Sequence, residues 1–216
     1  MSAYVMNSGV SRGSLRVEKM AKVLLDTIGT VRDALKKGAV VPKEKLEANE
    51  ELLNIWEIEI EDDFIGVIAT QRPVATDLRL LAASLKIIDH LERIGDYQIH
   101  VMEVLKRLKT VVPEMYDLYI TMVENLYIML EKTIEAYSKR DHTAAKEAAA
   151  IDSAIDKAYR SALNELYNSI GSPMTRADLG RHLMLLKYME RSADHVTDID
   201  EWIVYAIESI HVELNG

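Results

Sequence analysis

The stretch Leu91-Glu92-Arg93-Ile94-Gly95-Asp96 returns 98 residues later as Met189-Glu190-Arg191-Ser192-Ala193-Asp194, so the chain carries E-R-x-x-D twice. At roughly 100° per helical residue, Glu92 and Asp96 lie about 40° apart, and Leu81, Leu85, Ile88 and Ile99 fall on the same side. The carboxylates interrupt an apolar stripe. The same count about Glu190 places Leu179, Leu183 and Leu186 on its side, with Asp194 one turn on and Asp198 two turns on. Carboxylates in such a stripe must be paired, protonated or bound to a cation, because burying one bare costs several kcal/mol. Arg93 and Arg191 follow the glutamates directly, but neighbours in a helix point roughly 100° apart and pair poorly.

Other landmarks keep the same order. Glu50-Glu51-Leu52-Leu53-Asn54 precedes Asp77-Leu78-Arg79 and the first motif, as Asp152-Ser153-Ala154-Ile155-Asp156 precedes Asp178-Leu179 and the second. Further back, Val31 to Gly38 matches Ile134 to Asp141, and the offsets run from 98 to 103. An internal duplication covering almost the whole chain explains this. Six helices are expected, at residues 15–37, 43–70, 74–109, 114–140, 142–169 and 175–212. Pro42, Pro73, Pro113 and Pro173 punctuate them. The strand-like alternation Ile58-Glu59-Ile60-Glu61 is overruled by Leu53, Trp56, Ile60, Phe64 and Val67, which recur at helical spacing. The expected fold is all-α: two tandem three-helix bundles of long antiparallel helices, the first at 15–110 and the second at 113–213. Residues 1–14, with two glycines and four serines among them, read as a flexible leader.

Composition narrows the function. The 216 residues are 49% hydrophobic, enough for a proper core. The absence of cysteine excludes disulfides, thiolate catalysis and Cys-type metal sites, and fits a cytoplasmic protein. A net charge of −9 opposes direct binding to nucleic acid or anionic lipid. No window long enough to span a bilayer is free of charge. No phosphate-binding loop, dinucleotide turn or nucleophile with a base is visible, so no enzymatic activity is expected.

Two i, i+4 carboxylate pairs on facing helices can hold one or two cations, and their oxygen donors favour Mg, Mn, Fe(III) or Zn. Salt bridges between helices are the alternative. Glu92, Asp96, Glu190, Asp194 and Asp198 are the candidate ligands. Of the six histidines, His90, His142, His182 and His211 read as surface or satisfied core residues, while His100 and His195 lie on or beside the acidic stripes; His100 is a possible additional ligand. An E-x-x-H pair of the kind carboxylate oxidases use occurs once, at Glu208-Ser209-Ile210-His211, and is not repeated.

The stretch Pro73-Val74-Ala75-Thr76-Asp77-Leu78-Arg79, followed by Leu91 to Asp96, resembles the PhoU phosphate-signalling regulators, and the resemblance spans roughly residues 16 to 212. The second copy departs from it: no proline directly precedes Asp178, Gly180 stands in place of the arginine, and twelve residues separate Asp178 from Glu190. The resemblance implies a negative regulator of phosphate uptake that contacts the ATPase subunit of a phosphate ABC transporter and a sensor histidine kinase. It also implies metal at the E/D-x-x-x-D sites and a homodimer. Asp77 and Arg79 are candidates for a partner surface. Metal storage or sensing, and partnership with a sodium–phosphate cotransporter, are the competing expectations.

Overall fold

Helix α1 (Ser8–Lys37) begins seven residues before the expected start at 15, because Val10 is fully buried and Gly13 lies directly under the Phe64 ring. A Cβ at residue 13 would stand 1.9 Å from Phe64 Cε1, so only glycine permits this approach. Residues 8–14 therefore belong to the first bundle, not to a flexible leader. The structure, a computed structural model, describes residues 8–109, 113–169 and 176–214; residues 1–7 of the expected leader lie outside them.

Helices α2 (Lys43–Gln71) and α3 (Ala75–Arg107) complete the first bundle with α1. Ile58 to Glu61 are helical within α2, and no strand occurs among the described residues. The second bundle comprises α4 (Pro113–Lys139), α5 (His142–Ala149), α6 (Asp152–Asn168) and α7 (Arg176–Glu208). Here one expected helix, 142–169, appears as two. The interruption is a tightened turn, with Ile151 N donating to Ala148 O and Ala154 N to Ile151 O, while Ser153 Oγ donates to Ala150 O. Because α5 and α6 both pack on α4 and α7, the six-helix architecture holds. The last helix ends at Glu208, four residues before the expected 212.

The duplication shows in the turns as well. Gly38 takes φ 58° after α1, with its N–H donating to Leu35 O and Ala39 N to Ala34 O. Arg140 takes φ 54° after α4, with the same bonds to Tyr137 O and, from Asp141, to Ala136 O. Asp141 then caps α5 by accepting from Thr143 N and Ala144 N.

The two bundles meet along α3 against α7 and α1 against α4. Contacts such as His90 with His195 and Gln98 with Ser192 show that α3 and α7 run antiparallel. Buried side chains of these two helices include Ile87, Leu91 and Ile94 on α3 and Met189, Ala193 and Val196 on α7. Each such large apolar side chain contributes roughly 1.5–3 kcal/mol when removed from water. Leu183, expected on the apolar stripe, is 45% exposed, whereas Leu186, expected there too, is fully buried, as is Leu185, which lies off that stripe. Helix α7 packs on α3, α4, α5 and α6 together, so its buried face is wider than, and rotated from, a stripe centred on Glu190.

Candidate functional site

Each bundle gathers carboxylates between its second and third helical rods. In the first, Glu92 and Asp96 of α3 lie within electrostatic reach of Glu57 on α2 and of Asp89. Burial, then repulsion from Asp96 and Glu57, raises the Glu92 carboxyl to about 7. Glu57 is raised too, chiefly by burial and then by Asp89. In the second bundle, Glu190 and Asp194 of α7 face Asp152 and Asp156 of α6. Burial, followed by repulsion from Asp156 and Asp194, raises Asp152 to about 6. Asp194 is raised by burial and by Glu190.

Basic groups neutralise these clusters only in part. Arg93 pairs with Asp89 at 3.3 Å, and Arg191 turns to the Tyr97 hydroxyl at 3.5 Å. Lys187 bridges Glu190 and Arg160 bridges Asp156. Near the first cluster, on α2, Asn54 donates to Glu50 at 2.7 Å while its own Oδ1 is a buried acceptor without a hydrogen bond. The repeat register pairs Asn54 with Asp156, so an unsatisfied oxygen stands where the second bundle has a carboxylate. Half-buried oxygens that repel one another are relieved by a proton or by a hard cation, although among the described residues no three of these carboxylates bring their oxygens within 4.8 Å of one another.

Other expected site residues lie elsewhere. Asp198 turns from Glu190 and Asp194 toward His195 and His90 across the α3/α7 seam. The hydrogen bond with His195 holds its carboxyl below the usual range. Burial pushes the His90 imidazole down. His100 is exposed and stacks 5.0 Å from the Tyr188 ring of α7. Asp77 is buried at 3% exposure, while Arg79 is half-buried beside exposed Val74 and Leu78 in the opening turns of α3. Glu208 is taken by Lys146 and His142, and His211 stacks on Tyr205, so the lone E-x-x-H pair does not converge on a common point. Glu57, Asp89 and His90 were missed by sequence reasoning. The acidic tract in α6 was visible in the repeat, but its facing of α7 was not.

These features define an internally duplicated, all-helical protein with an oxygen-donor cluster on each repeat, joined along two long helices. The family model described as PhoU domain matches residues 17–105 and again 119–203. The chain belongs to the PhoU family. It is 28% identical over 222 aligned positions to the phosphate-specific transport system accessory protein PhoU homolog of Clostridium acetobutylicum, covering 100% of both chains. It is 30% identical to the Deinococcus radiodurans homolog of the same description, over 69% of this chain and 71% of that one. Crystal structures of PhoU from Pseudomonas aeruginosa (TM-score 0.87, 22% identity, 94% of this chain and 99% of that one) and of the phosphate transport system regulatory protein PhoU from Streptococcus pneumoniae (0.84, 20%, 94% and 97%) share the fold. No helix among the described residues is long and apolar enough to cross a membrane.

Proposed function

We propose that this chain is a non-catalytic, cytoplasmic negative regulator of phosphate uptake and phosphate-starvation signalling. It would act as an adaptor, as a homodimer, between the ATPase subunit of a phosphate ABC transporter and a sensor histidine kinase. The observation that carries this reading is the retention of a half-buried acidic cluster on both repeats, together with relatives described as accessory proteins of phosphate-specific transport. A cation held by Glu92, Asp96 and Glu57, and another by Glu190, Asp194, Asp152 and Asp156, would link the second and third rods of each bundle and set the shape offered to partners. Arg79 with exposed Val74 and Leu78 supplies a mixed apolar and cationic surface suited to a protein partner.

Deleting the gene should derepress phosphate-starvation genes in phosphate-replete medium, and the tagged protein should co-purify with a transporter ATPase. Arg79→Glu should weaken that co-purification without changing helicity. Elemental analysis of protein purified without chelator should show a metal content that Asp96→Asn with Asp194→Asn lowers. Unchanged phosphate control on deletion, with many iron atoms per chain, would replace the adaptor with metal storage.

A further inference from the structure

On the seam between the repeats, His90 of α3 and His195 and Asp198 of α7 bring three donor atoms close together. His90 Nδ1 lies 3.0 Å from His195 Nδ1, His195 Nδ1 lies 3.3 Å from Asp198 Oδ2, and His90 Nδ1 lies 3.5 Å from that same oxygen. We propose that these three side chains bind one divalent first-row transition ion, at a site adjoining but chemically distinct from the all-oxygen clusters, and that the ion pins the first repeat to the second.

The distances are those of a ligand set. Two donors on a tetrahedral zinc centre, each about 2.1 Å from the ion, stand about 3.4 Å apart, and on an octahedral centre about 3.0 Å apart. The three observed edges span that range. An ion about 2.1 Å from all three donors would sit about 1 Å out of their plane. Two imidazoles and one carboxylate form a borderline donor set, which suits Zn, Co, Ni or Fe(II) and disfavours Mg and Ca. The histidine side chains are 15% and 18% exposed and that of Asp198 is 40% exposed, so the open face of the ion would look to solvent past Asp198. That leaves an entry path and room for a water ligand. Tyr97 stacks on His195 at 5.7 Å and 15°, holding the ring plane.

A shared proton is the competing explanation, and it satisfies the geometry less well. A single N–H can at best be shared between the other two atoms as a weaker three-centre bond, whereas a cation takes a lone pair from each.

The duplication adds an internal control. At an offset of 98, Tyr188 is the counterpart of His90, Tyr97 of His195 and His100 of Asp198. The counterpart contacts exist: Tyr97 and Tyr188 stack at 5.8 Å, and His100 and Tyr188 at 5.0 Å. Aromatic packing therefore suffices at one end of the seam. At the other end the same frame carries three metal-ligating groups that packing alone does not require.

This inference does not depend on the proposed regulatory role. The full chain, stripped with chelator and titrated with Co(II), should bind one ion per chain with the visible absorption of nitrogen-and-oxygen ligation, apart from ions taken up by the all-oxygen clusters. Zn(II) should displace it and raise the melting temperature. A variant carrying Glu92→Gln, Asp96→Asn, Glu190→Gln and Asp194→Asn should keep that spectrum. His90→Ala and His195→Ala should each weaken Co(II) binding by more than about a hundredfold, since losing even an outer partner of a metal ligand costs about 10- to 100-fold. Should either alanine variant lose helicity, His90→Gln and His195→Gln, which preserve bulk, decide the matter. Binding that is absent from the unaltered chain, that survives loss of both histidines, or that disappears only with the acidic clusters would overturn the site.

Discussion

Glu92 shows how a single residue can make the molecule sensitive to pH. Its carboxyl is raised to about 7 in the folded chain, so the folded state holds a proton that the unfolded state releases near the ordinary value of 4.5. The folded state thus binds more protons in that window, and stability must fall as pH rises from about 4.5 to about 7. Asp152, raised to about 6, acts in the same direction between 3.8 and that value. Glu92→Gln should therefore stabilise the metal-free protein at about pH 8 and have little effect at about pH 4, where both side chains are neutral. Urea melts at the two pH values in the presence of chelator check this; a pH-independent difference would mean that repulsion at Glu92 is not the cause. At the residue scale the paired E-R-x-x-D motifs were legible, because i, i+4 neighbours share a helix face whatever the fold. The contact of Asp198 with His90 was not, since His90 stands 108 positions away on another helix.

At the scale of the helix, the buried face of α7 was misjudged by part of a turn. Periodicity within one helix locates an apolar stripe but does not say how many neighbours cover it. Helix α7 is flanked by α3, α4, α5 and α6, so its core positions include Leu185 and Leu186 while Leu183 lies over α6 beside Leu163 and Tyr167. Leu185→Ala should destabilise by about 2 to 5 kcal/mol through cavity formation. Leu183→Ala should stay within about 0.5 kcal/mol. Equal losses at both positions in denaturant melts would contradict the observed rotation of the helix. The start of α1 was misplaced for a related reason: serine and glycine lower intrinsic helix propensity, yet burial of Val10 and the close approach of Gly13 to Phe64 carry the helix through them.

For the whole molecule, the two bundles share the α3/α7 and α1/α4 seams. Neither bundle buries its third helix without the other. The described chain should therefore unfold in one cooperative transition, with calorimetric and van't Hoff enthalpies equal. Two resolved transitions would show that the repeats are independent domains joined only by a linker. The proposed adaptor role would use the same packed helices, since they connect the two acidic clusters without a flexible hinge between the bundles.

The amino-acid sequence by itself determined the all-helical class, the duplication and the two acidic motifs. Each follows from short-range periodicity or from recurrence along the chain, which survive without any knowledge of packing. Only the tertiary structure decided which carboxylates of α2 and α6 face those motifs, that Asp198 leaves its own cluster for two histidines, and that residues 8–14 join the core. Those outcomes depend on the rotation of each helix against several neighbours at once, and long-range packing of that kind leaves no periodic trace in a single helix.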